Sequence, residues 1–245
     1  MWVRRAPSYT GRMNELVHSN KETDKPARRK AAAAGSAKAA PTRTNDPART
    51  MAGILEVATK EFADKGLSGA RIDAIAEATH TSKRMIYYYY GSKEGLYLAV
   101  LEESYRRMRQ IEGDLHLDDL EPEAALRRLV EFTFDRHADN EDFIRLVMNE
   151  NIQQGTFLAQ STSIQQLNVP AIESIRRLYQ RGVEQGVFRE GLDPVDIHAS
   201  ISALTFFNVS NRHTFGLIFK DKARSAQSAD RRASITDMVV RFVRK

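Results

Sequence analysis

Apolar residues recur every three or four positions along most of the chain, and this spacing predicts helices. The first such stretch contains Ile54, Ala58 and Phe62. Asp46, followed by a proline, is typical of a helix N-cap, and Gly66 is predicted to end this helix. Folded structure is therefore expected to begin near residue 46.

A second pattern, in residues 73–93, predicts two short helices across a tight turn. An apolar helix over 71–78 meets a break at Thr79, His80 and Thr81, and a helix over 82–89 follows. The second helix carries cations and aromatics, as does the helix of a helix-turn-helix that enters the DNA major groove.

The remaining apolar periodicity predicts helices from 92 to about 111, from Pro122, and over 141–154, 157–165, 171–185, 194–216 and 230–243. Pro170 is expected to separate two of them. No segment shows sustained alternation of apolar and polar residues, so no sheet is expected. We predict an all-α fold with a disordered basic tail (1–45), a three-helix helix-turn-helix domain (46–111) and a larger helical effector-binding and dimerisation domain (112–245).

Charge is concentrated at the N-terminus. Residues 1–50 hold 11 Lys and Arg against 4 Asp and Glu, whereas the rest of the chain is slightly acidic. The tail therefore fits either an arm that attracts DNA phosphates or a solvated extension, including an over-long annotated start.

The chain has no cysteine, which fits a reducing cytoplasm, and it has neither a secretory signal pattern nor an apolar run of about 20 residues for a membrane span.

Residues 46–107 resemble the N-terminal DNA-binding domain of TetR-family transcriptional regulators. The resemblance is carried in order by segments 62–66 (FADKG), 75–76 (IA), 82–83 (SK), 86–90 (IYYYY) and 92–96 (SKEGL). It implies an all-α homodimer whose C-terminal domain binds a small molecule and pairs the subunits. The rest of the chain matches that family in length and helical class only.

Three departures from the family pattern stand out. His80 replaces the glycine often found in the turn, and His tolerates left-handed backbone better than most residues. Ala70 falls where the family has a capping threonine, which weakens that cap by about 1 kcal/mol. Arg84 and Met85 replace small residues in the recognition helix, so the operator sequence cannot be taken from relatives.

The predicted DNA contacts lie on and just after the recognition helix. Lys83 and Arg84 occupy its first turn, and an arginine bonded twice to guanine gives about 1–3 kcal/mol of discrimination. The resemblance implies that Tyr87, Tyr88 and Lys93 clamp the backbone and that Tyr90 is a core aromatic, while Tyr89 fits either role. The predicted set is Ser82, Lys83, Arg84, Tyr87, Tyr88, Tyr89 and Lys93.

Polar residues on apolar helices are the only clues to a ligand site. The candidates are Arg145, Asn149, Tyr179 and Asn208. Arg145 and Asn149 share a helix face, so together they suit a carboxylate or another polar anionic ligand. The histidines lack metal-ligand spacing, so we expect neither a metal nor a cofactor.

These observations predict a homodimeric, ligand-responsive transcriptional regulator, and a repressor is favoured over an activator. It would bind a palindromic double-stranded DNA operator, and a small molecule of unknown identity would release it. Helices 171–185 and 194–216 are the candidate dimer surfaces. The alternatives are an architectural protein that binds DNA non-specifically through its tail and a helical enzyme. We expect no enzyme, because the sequence has no phosphate loop, nucleophile elbow or metal-ligand set.

Overall fold

The computed structural model describes residues 46–220 and 229–245, so the predicted tail (1–45) lies outside the described residues. Four helices form its N-terminal part: α1 Pro47–Gly69, α2 Ile72–Ala78, α3 Lys83–Tyr90 and α4 Lys93–Gly113. The following part contains α5 Pro122–Asp139, α6 Glu141–Ile152, α7 Thr162–Glu184, α8 Pro194–Ser210, α9 Arg212–Phe219 and α10 Ala229–Val243, with short 3-10 turns at Leu117–Asp119 and Leu158–Gln160. Within the described ranges the β structure is a single bridge between Phe188 and Arg244, and the all-α prediction is confirmed.

The start of α1 is as predicted, and the break predicted at Gly66 is present as a kink. The Asp46 side chain accepts hydrogen bonds from the amides of Ala48 and Arg49. Gly66 takes a left-handed backbone with φ of 65°, as a helix-ending glycine does, yet one more helical turn follows it up to Gly69. Gly66 therefore marks a kink instead of the end of the helix.

The turn between α2 and α3 forms despite its unusual residues. His80 adopts a left-handed conformation with φ of 51°, and the amide of Thr81 bonds to the carbonyl of Ala76. Helix α2 begins without a side-chain cap. The Glu61 carboxylate instead accepts a hydrogen bond from the Arg71 amide at 3.0 Å, so α1 supplies the acceptor that Ala70 lacks.

A first buried core contains residues of all four N-terminal helices and extends beyond them. Phe62, Ile75, Ile86 and Tyr97 are completely buried, and the same cluster includes Leu146 of α6. Further members are Ile164 of α7 and, partly buried against the cluster, Phe157 and Leu158. The helix-turn-helix therefore shares its core with later helices.

Helix α7 corrects the prediction that Pro170 separates two helices. The helix is continuous from Thr162 to Glu184, although an interior proline costs about 3 kcal/mol. Buried residues on both sides of the proline, among them Ile164, Ala171 and Ile175, hold one face of the helix against the cores. This burial outweighs the local cost.

The predicted helix 194–216 is two helices in the structure. Helix α8 ends at Ser210, Asn211 adopts a non-helical conformation, and α9 starts at Arg212. Asparagine favours helix ends because its side chain competes for local hydrogen bonds. The apolar pattern continued across this break, which is why periodicity alone missed it.

A second core joins α5, α7, α8 and α10 and encloses a buried histidine. The Nδ1 atom of His137 lies 2.9 Å from the Thr205 hydroxyl. Burial, with smaller contributions from the charges of Arg109 and His198, lowers the pKa of His137 from 6.5 to about 4. The folded protein therefore keeps this imidazole neutral where an exposed histidine takes up a proton.

His137 is expected to make the protein less stable in mild acid. Between pH 6.5 and 4 the unfolded chain binds a proton that the folded chain does not, so the free energy of unfolding falls as the pH falls, by up to about 3 kcal/mol. Denaturant unfolding of wild type and His137→Gln across this range measures the difference. An equal loss of stability in both proteins would contradict the prediction.

Candidate DNA-binding face and ligand cavity

Helix α3 is anchored on one side and exposed on the other. The Ser82 hydroxyl caps it by accepting a bond from the Met85 amide at 3.2 Å, and Ile86 is buried in the first core. With Ile86 facing the core, the opposite side of α3 is exposed, and it carries Lys83, Arg84, Tyr87 and Tyr88. The two tyrosines are 44% and 77% exposed, which is high for aromatic side chains.

The cations on this face differ in their partners. Lys83 forms an ion pair with Asp73 of α2, and the hydrogen bond from Lys83 lowers the pKa of that carboxyl. Lys93 donates to the Ser68 carbonyl at 3.3 Å, which holds it beside the end of α1. Arg84 has no ion-pair partner in the part of the chain that the structure describes. Its guanidinium is therefore available to an external acceptor.

The other two tyrosines support the helix from its inner side. The Tyr90 hydroxyl donates to the Met51 carbonyl at 3.0 Å, and burial raises the pKa of Tyr90 to about 12. Tyr89 is partly buried against the first core and makes edge contacts with the rings of Tyr88 and Tyr90. Tyr89 is thus better placed to hold Tyr88 than to reach out of the protein.

Two predicted ligand residues lie instead where α6 meets α1. Arg145 forms ion pairs with Asp64 of α1 and Glu141, and the Asn149 amide donates to the Phe62 carbonyl at 3.3 Å. Their shared helix face was identified correctly, but it faces the DNA-binding helices and not a cavity.

The other two predicted ligand residues, Tyr179 and Asn208, form side-chain hydrogen bonds within the protein. The Tyr179 hydroxyl donates to the Arg189 carbonyl at 2.8 Å and accepts from the Leu192 amide at 3.0 Å. Asn208 is buried, and its oxygen accepts from Arg231 at 3.1 Å. None of the four lines the large cavity described below, so the geometry favours other residues for a ligand site.

A buried acidic contact lies at the same junction. Glu150 of α6 is 3% exposed, and one carboxylate oxygen accepts from the Leu158 amide at 2.9 Å. The second oxygen and the buried Tyr97 hydroxyl have no hydrogen-bond partner. Burial, together with the Glu150 charge, raises the pKa of Tyr97. The junction thus holds a polar pair in a mostly apolar core.

A cavity of about 920 Å³ lies between the second half of α4, the turn that follows it and the first half of α7. Its volume is within the range of small-molecule sites. Acidic and basic side chains both line it. The lining includes Glu102, Arg109, Gln166, Leu167 and Pro170. Sequence reasoning missed this site because only the structure brings α4 and α7 together. The charged end of α4 and the proline within an apolar stretch were its only signals.

The described part of the chain has neither a metal-ligand cluster nor a membrane-crossing helix. Within residues 46–220 and 229–245, no three His, Cys, Asp or Glu side chains are grouped to hold a metal ion. No helix in these ranges combines the length and apolar character that a bilayer span needs.

An exposed apolar surface lies on α8 and α9. It comprises Phe207, Phe215, Ile218 and Phe219, and Ile218 is 69% exposed. The rings of Phe207 and Phe215 lie 5.8 Å apart, and those of Phe215 and Phe219 lie 4.4 Å apart. A grouped apolar surface of this kind marks an interaction site more often than scattered apolar residues do.

Comparison with known proteins identifies the family. Residues 54–100 match the model of bacterial regulatory proteins of the tetR family, and residues 122–240 match a tetracyclin repressor-like C-terminal domain. The HTH-type transcriptional repressor NicS of Pseudomonas putida is 35% identical over 198 residues, which cover 80% of this chain and 93% of NicS. The chain belongs to the TetR family of transcriptional regulators. The resemblance in the helix-turn-helix segment is thereby confirmed and extended to the second half.

Two further similar proteins from Streptomyces coelicolor are consistent with this assignment. The HTH-type transcriptional repressor SCO4008 of Streptomyces coelicolor is 34% identical over 139 residues, which cover 56% of this chain and 69% of that protein. The crystal structure of the transcriptional regulator SCO4942, also from Streptomyces coelicolor, superimposes with a TM-score of 0.61 at 27% identity. That superposition covers 79% of this chain and 98% of SCO4942.

Proposed function

We propose that this TetR-family protein is a homodimeric repressor that binds a palindromic operator through α3 and is released by a small molecule. The exposed cationic and aromatic face of α3, fixed by Ser82 and Ile86, is the observation that carries the proposal. Residues 46–111 would bind DNA and residues 112–245 would bind the effector and pair the subunits. The protein would act in the cytoplasm, where operator DNA is found.

Arg84 is the best candidate for reading bases. It lies in the first turn of α3, it is exposed, and no carboxylate within the described residues competes for it. Lys83 would exchange its ion pair with Asp73 for DNA, which is feasible because solvent screens an exposed pair and leaves it weak. Tyr87, Tyr88 and Lys93 would contact phosphates and fix the register of the helix.

Repression is favoured over activation by the relatives. NicS and SCO4008 are both named as transcriptional repressors, and both match this chain at 34% identity or more. A repressor needs only to occupy its operator in one state and leave it in another. No surface for recruiting the transcription machinery is therefore required.

The apolar surface on α8 and α9 is the proposed dimer contact. Exposed phenylalanine and isoleucine side chains next to one another favour a self-complementary interface between two copies. A two-fold dimer would present two α3 helices to two operator half-sites. This proposal retains the predicted 194–216 surface, which covers α8 and the start of α9, and does not use the 171–185 segment.

The α4–α7 cavity is the proposed effector site. Helix α4 contributes Glu102, Arg106 and Arg109 to the cavity, and its earlier residues Tyr97 and Leu101 lie in the core beneath α3. A ligand that favours another position of α4 would therefore move the DNA-binding helices. A differential affinity of a few kcal/mol between the two states is sufficient.

Replacing Arg84 by alanine is expected to relax operator specificity at one symmetric pair of positions, with a loss of about 1–3 kcal/mol for the preferred base. Selection of bound sites from random duplex DNA at near-physiological salt measures this change. Arg176→Ala, which removes an exposed arginine of α7, is the matched control and is expected to select the wild-type consensus. Absence of a palindromic consensus for wild type would contradict sequence-specific repression and favour non-specific architectural binding.

Ile218→Asp is expected to dissociate the dimer, because it places a charge in the proposed apolar interface. Analytical ultracentrifugation over a concentration series measures the shift towards monomer, and operator affinity is expected to fall with it. Ile152→Asp is the control, since Ile152 is 77% exposed but lies at the end of α6. An Ile218→Asp protein that dimerises like wild type would rule out this surface.

A further inference from the structure

The charges around the α4–α7 cavity point to one class of effector. We propose that the effector carries a cationic hydrogen-bond donor, such as a protonated amine or an amidinium, which binds the carboxylate of Glu102. This inference rests on the proposed function of the cavity and specifies the chemistry of its ligand.

The arginines of the cavity already have acidic partners. Arg109 pairs with Glu112 and donates to the Asn168 side chain at 3.0 Å. Arg106 pairs with Glu103, and Arg177 lies 3.2 Å from the Asp118 carboxylate. An anionic ligand would have to displace one of these carboxylates. The arginines are therefore poorly suited to recognise an incoming anion.

Glu102, unlike these arginines, has no oppositely charged partner within the described residues. Its Oε1 atom accepts hydrogen bonds from the hydroxyls of Ser161 and Ser163, at 2.6 and 2.8 Å. Within the described residues it has no cationic partner, and its Oε2 atom accepts no hydrogen bond. The carboxylate is thus held in place with a free charged acceptor at the cavity wall.

The start of α7 lies directly beside Glu102. Ser161 is buried and caps this helix by accepting a bond from the Ile164 amide at 3.1 Å. The positive end of the helix dipole therefore lies beside the carboxylate and stabilises its charge. A ligand cation would form a charge-assisted hydrogen bond with an acceptor that needs no rearrangement.

Helix α7 also has a backbone carbonyl without its usual partner near the cavity. Pro170 has no N–H group, so the Gln166 carbonyl, four residues earlier, has no helical donor. Both residues line the cavity, and Leu167 and Ala171 add apolar surface between the polar groups. The cavity thus suits a ligand with a cationic donor and a compact apolar body.

Three probes of nearly equal size and shape test the proposal: benzylamine, benzyl alcohol and benzoate. Isothermal titration of the full-length protein at neutral pH is expected to rank benzylamine first, because it alone carries a positive charge. Glu102→Gln keeps an acceptor for the two serines but removes the charge. It is expected to weaken benzylamine binding roughly tenfold or more and to leave benzyl alcohol binding nearly unchanged.

Glu190→Gln is the matched control, since Glu190 is exposed and lies outside the cavity lining. It is expected to bind benzylamine as wild type does. The proposal is overturned if benzoate binds best, if benzylamine does not bind, or if it binds wild type and Glu102→Gln equally. A purely structural role of Glu102 would give that last result together with a lower melting temperature. Operator binding by the wild type, measured without any probe, separates a failure of the regulator function from a failure of the ligand chemistry.

Discussion

The burial of Tyr97 between Phe62 and Phe157 is the contact on which the rest of the structure depends. Its ring packs edge-on against both, with centroids 5.1 and 5.3 Å away. Phe62 belongs to α1, Tyr97 to α4, and Phe157 to the segment before α7. One apolar core therefore supports α3 and reaches the helices that line the cavity, so the position of α3 depends on residues outside the DNA-binding segment.

This arrangement gives the cavity a physical connection to the DNA-binding face. Helix α4 spans from the shared core to the cavity, and α6 is tied to α1 by Arg145 and Asn149. Glu150 and Tyr97 add a buried polar pair with incomplete hydrogen bonding at the same junction.

Local chemistry in the sequence predicted the N-terminal helices well. Asp46, Ser82 and Ser92 cap helices as their residue types indicate, and His80 takes the left-handed turn. Tertiary packing explains the failures. Helix α7 continues through Pro170 because both sides of it are buried, and the helix face of Arg145 and Asn149 packs on α1. The cavity was not predictable, since it forms between residues about 60 positions apart in the sequence, such as Glu102 and Ser163.

The shared core is tested most directly by native-state hydrogen exchange of wild type and Phe157→Ala. Removing this ring leaves a void next to Tyr97, far along the chain from α3. We expect amide protection in α3 to fall together with that of α4 and α6, while amides of α5 and α10 in the second core lose much less. Unchanged protection in α3, with the loss confined to residues near 157, would show that the DNA-binding helices do not depend on the shared core.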